Sequence, residues 1–150
     1  MRLALYQPDI PQNTGTILRT CACLDVPVDL IGPAGFDASE RAFRRAGMDY
    51  LDAVDLTRHV SWDAFEEARQ AAGHRLVVLT AHAEAPYTAH AYATTDTLLL
   101  GRETAGVPAY VTEAADVRLT IPMRPGLRSL NVAIAGAIVV GEALRQLAMR

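Results

Sequence analysis

The stretch RLVVLT, residues 75–80, decides the fold class of this 150-residue chain. It is a continuous apolar run of strand length, and TLLLG at residues 97–101 has the same character. Continuous apolar runs, unlike alternating ones, are typical of parallel strands that helices cover on both faces. The two runs therefore predict the centre of a mostly parallel sheet.

Shorter strands and helices alternate around these two runs. Further strands are predicted at residues 2–6, 27–32, 53–56 and 117–122. Helices are predicted after a turn at residues 13–15 and at residues 39–46, 61–72 and 129–149, with Ser61 as an N-cap. Strands that alternate with helices predict an α/β fold, with helices on both faces of the sheet. We expect one domain over residues 1–150, because the sequence contains no repeat or linker.

The composition, 51% hydrophobic and 21% charged, is that of a globular protein. All 14 basic residues are arginine, which excludes a Walker lysine, a lysine Schiff base and a lysine general base. A net charge of -3 argues against a general polyanion binder. However, RAFRRAG brings Arg41, Arg44 and Arg45 together, either as a solvated helix face or as a contact for a polyanion.

Neither a metal site nor membrane association is expected. Cys21 and Cys23 lie two residues apart in a predicted helix and point away from each other, so we interpret them as small buried hydrophobic residues. The four histidines show no metal-ligand spacing. The sequence has no signal-peptide pattern, and its C-terminal apolar run is too interrupted to span a bilayer. These features favour a cytoplasmic protein.

The predicted final helix carries apolar side chains on nearly all sides, which predicts burial on more than one face. These side chains are Leu130, Val132, Ile134, Ile138, Val139, Val140, Leu144 and Leu147. In so small a domain, a second subunit is the natural cover, and the alternative is burial within one chain. We therefore predict a homodimer.

The common nucleotide-site motifs are absent, and three polar clusters remain. GRETAG has the glycine spacing of a P-loop but is followed by VP, and neither G-x-G-x-x-G nor G-x-S-x-G occurs. The first cluster is QPDIPQNTGTILRT (residues 7–20), the second is LLLGRETAGVP (residues 98–108) and the third is IPMRPGLRSLN (residues 121–131). Each cluster lies at the end of a predicted strand. The first follows the strand at residues 2–6, and the second and third include the ends of the strands at residues 97–101 and 117–122.

The first two clusters suit anion and ligand contacts. The first leads into a helix N-terminus, whose free N–H groups favour an anion, and it carries Arg19. In the second, Gly101 and Gly106 let the backbone approach a ligand closely, and Glu103 supplies a carboxylate. The alternatives are an ordinary loop with a surface arginine and a tight turn before a helix.

The third cluster places polar side chains beside an apolar wall. Ile121 and Met123 offer the wall, while Ser129 and Asn131 provide donors and acceptors. Asn131 lies inside the apolar run IPMRPGLRSLNVAIAGAIVV (residues 121–140), where a buried amide is costly unless it is hydrogen-bonded. It either caps or braces the local backbone, or it belongs to a site.

Together and in this order, the three clusters resemble the motifs of the SPOUT (trefoil-knotted) RNA ribose 2′-O-methyltransferases, and RSLN is the most specific piece. YQPDIPQNTGTILRTCA, RRAGMDYLD and RHVSWDAF are similar to the TrmL group, which methylates the ribose of the wobble nucleotide, cytidine or uridine, in certain tRNAs. Arg102 stands where that group usually has proline. Cys23, Leu24 and Asp25 replace a more usual polar stretch that contains glycine.

The resemblance implies a C-terminal trefoil knot, a homodimer and a tRNA substrate bound through its anticodon stem-loop. It implies S-adenosylmethionine contacts from Leu79, Thr80, Ala81, Leu100, Gly101, Glu103, Gly106, Ile121, Met123, Ser129 and Leu130. It implies catalytic roles for Arg19, Glu103, Ser129 and Asn131. It implies RNA contacts for Asn13, Arg19, Arg41, Arg44 and Arg45.

In this interpretation Arg19 clamps phosphate and orients the 2′-hydroxyl, because a guanidinium is a poor base. Glu103 either orients Arg19 or shapes the cofactor loop. Three alternatives stay open at this stage: an inactive RNA-binding relative, methylation of another RNA such as rRNA, and an α/β enzyme that acts on a small nucleotide.

Overall fold

The computed structural model describes residues 1–45 and 50–148, and within them one sheet has six strands. The strands are β1 (Arg2–Tyr6), β2 (Val28–Ile31), β3 (Leu56–His59), β4 (Arg75–Leu79), β5 (Asp96–Leu100) and β6 (Val117–Leu119). Their order is β3-β2-β1-β5-β4-β6, and each of these neighbouring pairs is parallel. The predicted parallel sheet is confirmed.

Helices cover both faces of this sheet. Among the described residues they are α1 (Pro11–Leu24), α2 (Glu40–Arg45), α3 (Trp62–Ala71), α4 (Ala109–Glu113) and α5 (Val132–Ala148), with a 3₁₀ turn at Tyr87–Ala89. Buried residues of α1, α2 and α5 pack in one core cluster, and those of α3 and α4 pack in a second. The predicted α/β class, with helices on both faces, is confirmed.

The two apolar runs supply both core layers because successive strand residues point to opposite faces. Leu98 and Leu100 belong to the layer under α1 and α5, whereas Leu99 belongs to the layer under α3 and α4. Leu98 and Leu99 are both fully buried. Each such side chain contributes roughly 1.5–3 kcal/mol through burial, so these strands anchor both layers.

Several predicted boundaries are wrong. The third strand is β3 at Leu56–His59, and residues 53–55 precede it. Residues 13–15 do not form a separate turn, because α1 begins at Pro11, where proline is favoured at the first helical position. The last helix, α5, begins at Val132. The predicted ends at Ala46 and Met149 lie outside the described residues.

Local capping and burial follow the sequence more closely. The Ser61 hydroxyl accepts a hydrogen bond from the Ala64 N–H at 3.2 Å and so caps α3 as predicted. Cys21 is buried, but Cys23 is exposed, so its interpretation as a buried hydrophobic residue is wrong. A residue two positions further along a helix faces a different side, and for Cys23 that side points away from the core.

Candidate functional site

A recess of about 730 Å³ lies where β4, β5 and β6 end. These strands are neighbours in the sheet, so their carboxyl ends and following loops meet at one edge. Ligands of open α/β sheets bind at this edge. Ile10 and Asn13, at the start of α1, and Val132 and Ala135, in α5, complete its lining. The recess therefore joins all three polar clusters.

The proposed cofactor contacts converge on this recess. All eleven line it: Leu79, Thr80, Ala81, Leu100, Gly101, Glu103, Gly106, Ile121, Met123, Ser129 and Leu130. Three of the four proposed catalytic residues, Glu103, Ser129 and Asn131, line it as well. Its size falls in the range of about 300–1,000 Å³ that is typical of small-molecule sites.

The second cluster forms a tight loop at the recess. The N–H of Arg102 donates to the carbonyl of Gly106 at 2.8 Å, and the N–H of Gly106 donates back at 2.9 Å. Gly101 lies so close that a methyl group there would come within 2.6 Å of the Gly106 carbonyl carbon. Gly106 has a φ of 63°, a left-handed conformation that favours glycine. Both glycines are therefore required by the loop itself.

Glu103 ties this loop to the start of α1. One oxygen of its carboxylate accepts from the Asp9 N–H at 3.0 Å, and the other accepts from the Asn13 amide at 3.3 Å. In turn, the Asp9 carboxylate accepts hydrogen bonds from the Glu103 N–H at 3.2 Å and from the Thr104 hydroxyl. Hydrogen bonding to Glu103, and to a smaller extent to the Thr104 hydroxyl, lowers the pKa of the Asp9 carboxyl to about 2. Asp9 is therefore ionised at neutral pH.

Asn131 extends the same network to α5. Its Oδ1 accepts from the Ala133 N–H at 2.9 Å and from the Ile134 N–H at 3.3 Å, which caps the helix. Its Nδ2 donates to Oδ1 of Asn13 at 2.9 Å. Asn131 therefore both caps a helix and belongs to the recess.

The orientation of both amides follows from the two ends of this chain of hydrogen bonds. The Glu103 carboxylate can only accept, so Asn13 must turn its NH₂ group toward it. The helix N–H groups can only donate, so Asn131 must turn its Oδ1 toward them. The remaining oxygen of Asn13 then faces the remaining NH₂ of Asn131, and every group is matched. The network has one consistent arrangement.

Arg19 lies elsewhere. It is exposed on α1, its guanidinium lies 4.9 Å from the centre of the Tyr50 ring, and it is not among the residues that line the recess. The expectation that Arg19 lies beside Glu103 is wrong within one chain, because Asp9 and Asn13 take that carboxylate. Of the two roles suggested for Glu103, the contacts favour shaping the loop.

The arginines of α2 form a separate surface. Arg41, Arg44 and Arg45, with Glu40, line a shallow recess of their own. Arg44 is paired with Glu40 at 2.9 Å and with Asp52 at 2.6 Å. Arg41 and Arg45 are exposed. The structure therefore does not bring these arginines into the main recess.

Sequence reasoning missed several residues of the main recess and its network. These are Asp9, Ile10, His82, Val107, Leu119, Thr120, Val132 and Ala135. Most adjoin residues that were singled out, so their position in the three clusters was an available signal. Asp9 also lies in the first cluster, but its partner could not be predicted, because Glu103 is 94 residues away in sequence.

Across residues 1–45 and 50–148, no group of three or more His, Cys, Asp or Glu side chains is placed to hold a metal ion. No helix in the same ranges has the length and apolar character needed to cross a membrane.

Comparison with known proteins identifies the family. The model of the SpoU rRNA Methylase family matches residues 1–141. A tRNA (cytidine(34)-2′-O)-methyltransferase of Beijerinckia indica is 60% identical over 144 residues, 96% of this chain and 90% of that protein. The protein of the same name from Escherichia coli K12 is 40% identical over 149 residues, 98% of this chain and 94% of that protein.

Solved structures share the fold. One, from work on the 2-OH methylation of C/U34 on tRNA, has a TM-score of 0.91 and 43% identity, covering 99% of this chain and 97% of that chain. Another is the SpoU methyltransferase AviRb from Streptomyces viridochromogenes in complex with the cofactor AdoMet. Its TM-score is 0.86 at 28% identity, covering 99% of this chain and 58% of that chain. The resemblance drawn from the three polar clusters is confirmed, and the chain belongs to the SpoU rRNA Methylase family.

Proposed function

We propose that this protein uses S-adenosylmethionine to methylate the ribose 2′-oxygen of the wobble nucleotide, cytidine or uridine 34, in tRNA. The observation that carries the proposal is the convergence of all three clusters on one recess at the ends of β4, β5 and β6. The tRNA (cytidine(34)-2′-O)-methyltransferase at 60% identity supports the choice of substrate. Cytoplasmic location and the trefoil knot stay predictions.

The recess suits an S-adenosylmethionine molecule. Leu79, Leu100, Ile121 and Leu130 offer apolar surface for an adenine ring, and the backbone ends of β4, β5 and β6 offer N–H and C=O groups. The loop at Gly101 lets the backbone come close without side chains between. AviRb, a structural neighbour, was crystallised with AdoMet, which supports the same cofactor here.

When bound, S-adenosylmethionine supplies an electrophilic methyl group, and the protein's part is to position the reactants and exclude water. Holding reacting groups in attack geometry supplies roughly 7–11 kcal/mol of barrier reduction. Glu103, Asn13 and Asn131 fix the loop, α1 and α5 relative to one another. Arg19 would grip an RNA phosphate and orient the 2′-hydroxyl, while the proton leaves to phosphate or water.

The proposal is tested by calorimetry and by mapping methyl groups on RNA. We expect the purified protein to bind S-adenosylmethionine and its demethylated product but not NAD or ATP. Ribose methylation at nucleotide 34 should be absent from tRNA of a deletion strain and be restored by the purified protein. A folded protein that binds the cofactor but methylates rRNA, or no RNA, would contradict the substrate assignment; one that binds no cofactor would contradict the enzyme.

A homodimer is the second part of the proposal, and α5 provides its surface. Ile134 is 54% exposed, and Ala137 and Gly141 are also exposed, on a helix whose opposite face, with Gly136, Val139 and Val140, is buried. Leu127 and Leu130, in the loop before α5, extend the apolar surface. A second copy would cover these residues and complete a largely apolar interface.

Replacing Ala137 with Arg should give a folded monomer. Ala137 is exposed in one protomer, so the new side chain reaches solvent there, whereas in a dimer it would be buried without a partner. Light scattering should report a mass near 16.2 kDa for the variant and twice that for the wild type. Ala71→Arg, the same change at an exposed position of α3, should remain dimeric. A dimer of unchanged stability in Ala137→Arg would place the interface elsewhere.

Asn131 allows helix capping to be separated from site function. Asn131→Asp keeps the oxygen that caps α5, since aspartate is as good an N-cap, but it turns an acceptor toward the Asn13 oxygen. We expect a melting temperature near that of the wild type and single-turnover methylation about tenfold slower, the cost of one lost hydrogen bond. Asn131→Ala should also lose about 1 kcal/mol of cap stability. Full activity in Asn131→Asp would show that the link to Asn13 is dispensable.

The α2 arginines support RNA binding outside the recess. Arg41 and Arg45 are exposed, and their charges lie on one short helix that borders a shallow concave surface. Such a surface suits a phosphate backbone, whereas Arg44 is held by Glu40 and Asp52. The alternative of an inactive RNA-binding relative has less support, because Glu103, Ser129 and Asn131 all line the recess.

A further inference from the structure

Arg102 lies on a rigid part of the recess rim. Its backbone is held by both hydrogen bonds to Gly106, and its side chain, 37% exposed, lines the recess. It is the one cationic residue in the loop GRETAGV, residues 101–107, so it brings a positive charge to the recess. The planar fork of a guanidinium is pre-organised, so less freedom is lost for each hydrogen bond that it forms with a ligand.

The guanidinium has donors to spare. Its Nε is buried and has no hydrogen-bond partner among the described residues. The ion pair between an Arg102 terminal nitrogen and Asp9 Oδ2 is 3.5 Å long, beyond the roughly 2.7–2.9 Å of a charge-assisted hydrogen bond. Asp9 already accepts from Glu103 and Thr104. The buried Nε is out of reach of a ligand, whereas the terminal nitrogens of this 37% exposed side chain can donate to an anionic oxygen.

A second donor lies close to Arg102. The hydroxyls of Tyr6 and Tyr110 are 2.6 Å apart, and since one proton joins them, the other is free to donate outward. Burial, with the hydrogen bond to Tyr110, raises the pKa of Tyr6 to about 12, so it stays a donor at neutral pH. Leu5 of β1 pairs with Leu100 of β5 in the sheet. Tyr6 and Arg102 follow these two residues, so both leave the same edge of two neighbouring strands.

We propose that Arg102 and the Tyr6–Tyr110 hydroxyl pair form an anion subsite that binds a backbone phosphate of the RNA substrate. This inference rests on the proposed function and names a specificity element of the same site. The terminal N–H groups of Arg102 and the free phenolic O–H would donate to two oxygens of one phosphate, an arrangement for which arginine is well suited.

The position of the subsite favours RNA over the cofactor. Arg102 lines the recess, but Tyr6 and Tyr110 do not, and Tyr110 is 52% exposed beside α3. The subsite therefore crosses the rim, from the recess to the outer surface. An enclosed small molecule would end inside the rim, whereas a polymer with a nucleotide in the recess must cross it.

The test compares RNA binding with cofactor binding. Fluorescence anisotropy with a fluorescein-labelled anticodon stem-loop RNA, at several salt concentrations, gives the RNA Kd and its salt dependence. Calorimetry gives the Kd of S-adenosylhomocysteine. For Arg102→Gln we expect RNA binding about tenfold weaker, a salt slope smaller by about 0.7, as for one lost phosphate contact, and an unchanged cofactor Kd. Arg102→Lys should keep the salt slope and recover only part of the affinity, because an ammonium lacks the planar fork of N–H donors of a guanidinium.

Two further variants complete the design. Tyr110→Phe should weaken RNA binding about fivefold with the salt slope unchanged, because it removes a donor and no charge. This variant tests the subsite independently if Arg102→Gln does not fold. Arg118→Gln removes a positive charge from an exposed residue outside the recess and should bind RNA normally. Weaker cofactor binding with normal RNA binding in Arg102→Gln, no change in either, or an equal loss in Arg118→Gln would each overturn the subsite. Wild-type protein that binds neither cofactor nor RNA would instead refute the proposed function.

Discussion

Gly101→Ala is expected to weaken S-adenosylmethionine binding by at least about a hundredfold, roughly 2.7 kcal/mol. The new methyl group would lie 2.6 Å from the carbonyl carbon of Gly106 and 2.8 Å from its Cα. Both are backbone atoms, so no side-chain rotation relieves the collision, and the loop must open. Opening breaks the paired hydrogen bonds between Arg102 and Gly106 and moves the backbone that borders the recess.

Calorimetry with S-adenosylmethionine, beside thermal unfolding, measures this effect. Gly73→Ala is the matched control, because Gly73 has a positive φ of 69°, open space around it and a position outside the recess. It should lose about 1 kcal/mol of stability and keep its cofactor affinity. Gly106 has a φ of 63° and open space around it. The cofactor affinity of Gly106→Ala should therefore lie between those of Gly101→Ala and Gly73→Ala. Normal affinity in Gly101→Ala would show that the loop does not contact the cofactor.

The elements that the sequence predicted best are those whose burial is strongest. RLVVLT and TLLLG became β4 and β5 within one residue at each end, because strands buried on both faces must be apolar throughout. Ser61 was predicted as a cap because its role depends on residues only three positions away. Short-range capping interactions and complete burial can therefore be recognised from the sequence.

Elements set by distant contacts were predicted less well. β3 is an edge strand with the sequence LTRH, and its register comes from pairing Val28 with Leu56 and Ile31 with His59. Its side chains are mostly not buried, so hydrophobicity pointed to the preceding residues 53–55 instead. α5 begins later than predicted because Asn131, an N-cap, lies outside the helix that its apolar neighbours suggest.

The site shows the same division. The residues of the second and third clusters reach the recess because each follows a strand end, and strand ends meet at one edge of a parallel sheet. Arg19 was misplaced because distance along a helix does not specify direction around it. Asn13 and Arg19 are six residues apart, which at about 100° per residue puts them on different sides of α1. Only Asn13 faces Glu103.

Arg19→Ala and Arg19→Lys are both expected to lower single-turnover methylation of tRNA by about ten- to a hundredfold, while dimer mass and cofactor affinity stay normal. A planar group with five donors grips phosphate and hydroxyl together, and lysine cannot reproduce that geometry. Arg58→Lys is the matched control, since Arg58 is also exposed and lies over an aromatic ring, that of Phe43, at 5.7 Å. Wild-type turnover in Arg19→Lys would show that a simple positive charge suffices.

Because Arg19 does not line the recess of its own chain, the proposed dimer must bring it to the recess of the partner if it acts on bound RNA. Mixed dimers of Arg19→Ala and Gly101→Ala chains test this directly. The Arg19→Ala chain keeps an intact recess, and the Gly101→Ala chain keeps an intact Arg19. If each arginine acts in the recess of the partner, these two intact parts meet, and one of the two sites in each mixed dimer is active. We then expect close to half of wild-type activity from two nearly inactive parents. Activity no higher than that of the parents would mean that Arg19 acts within its own chain, after a movement that the present arrangement around Tyr50 does not show.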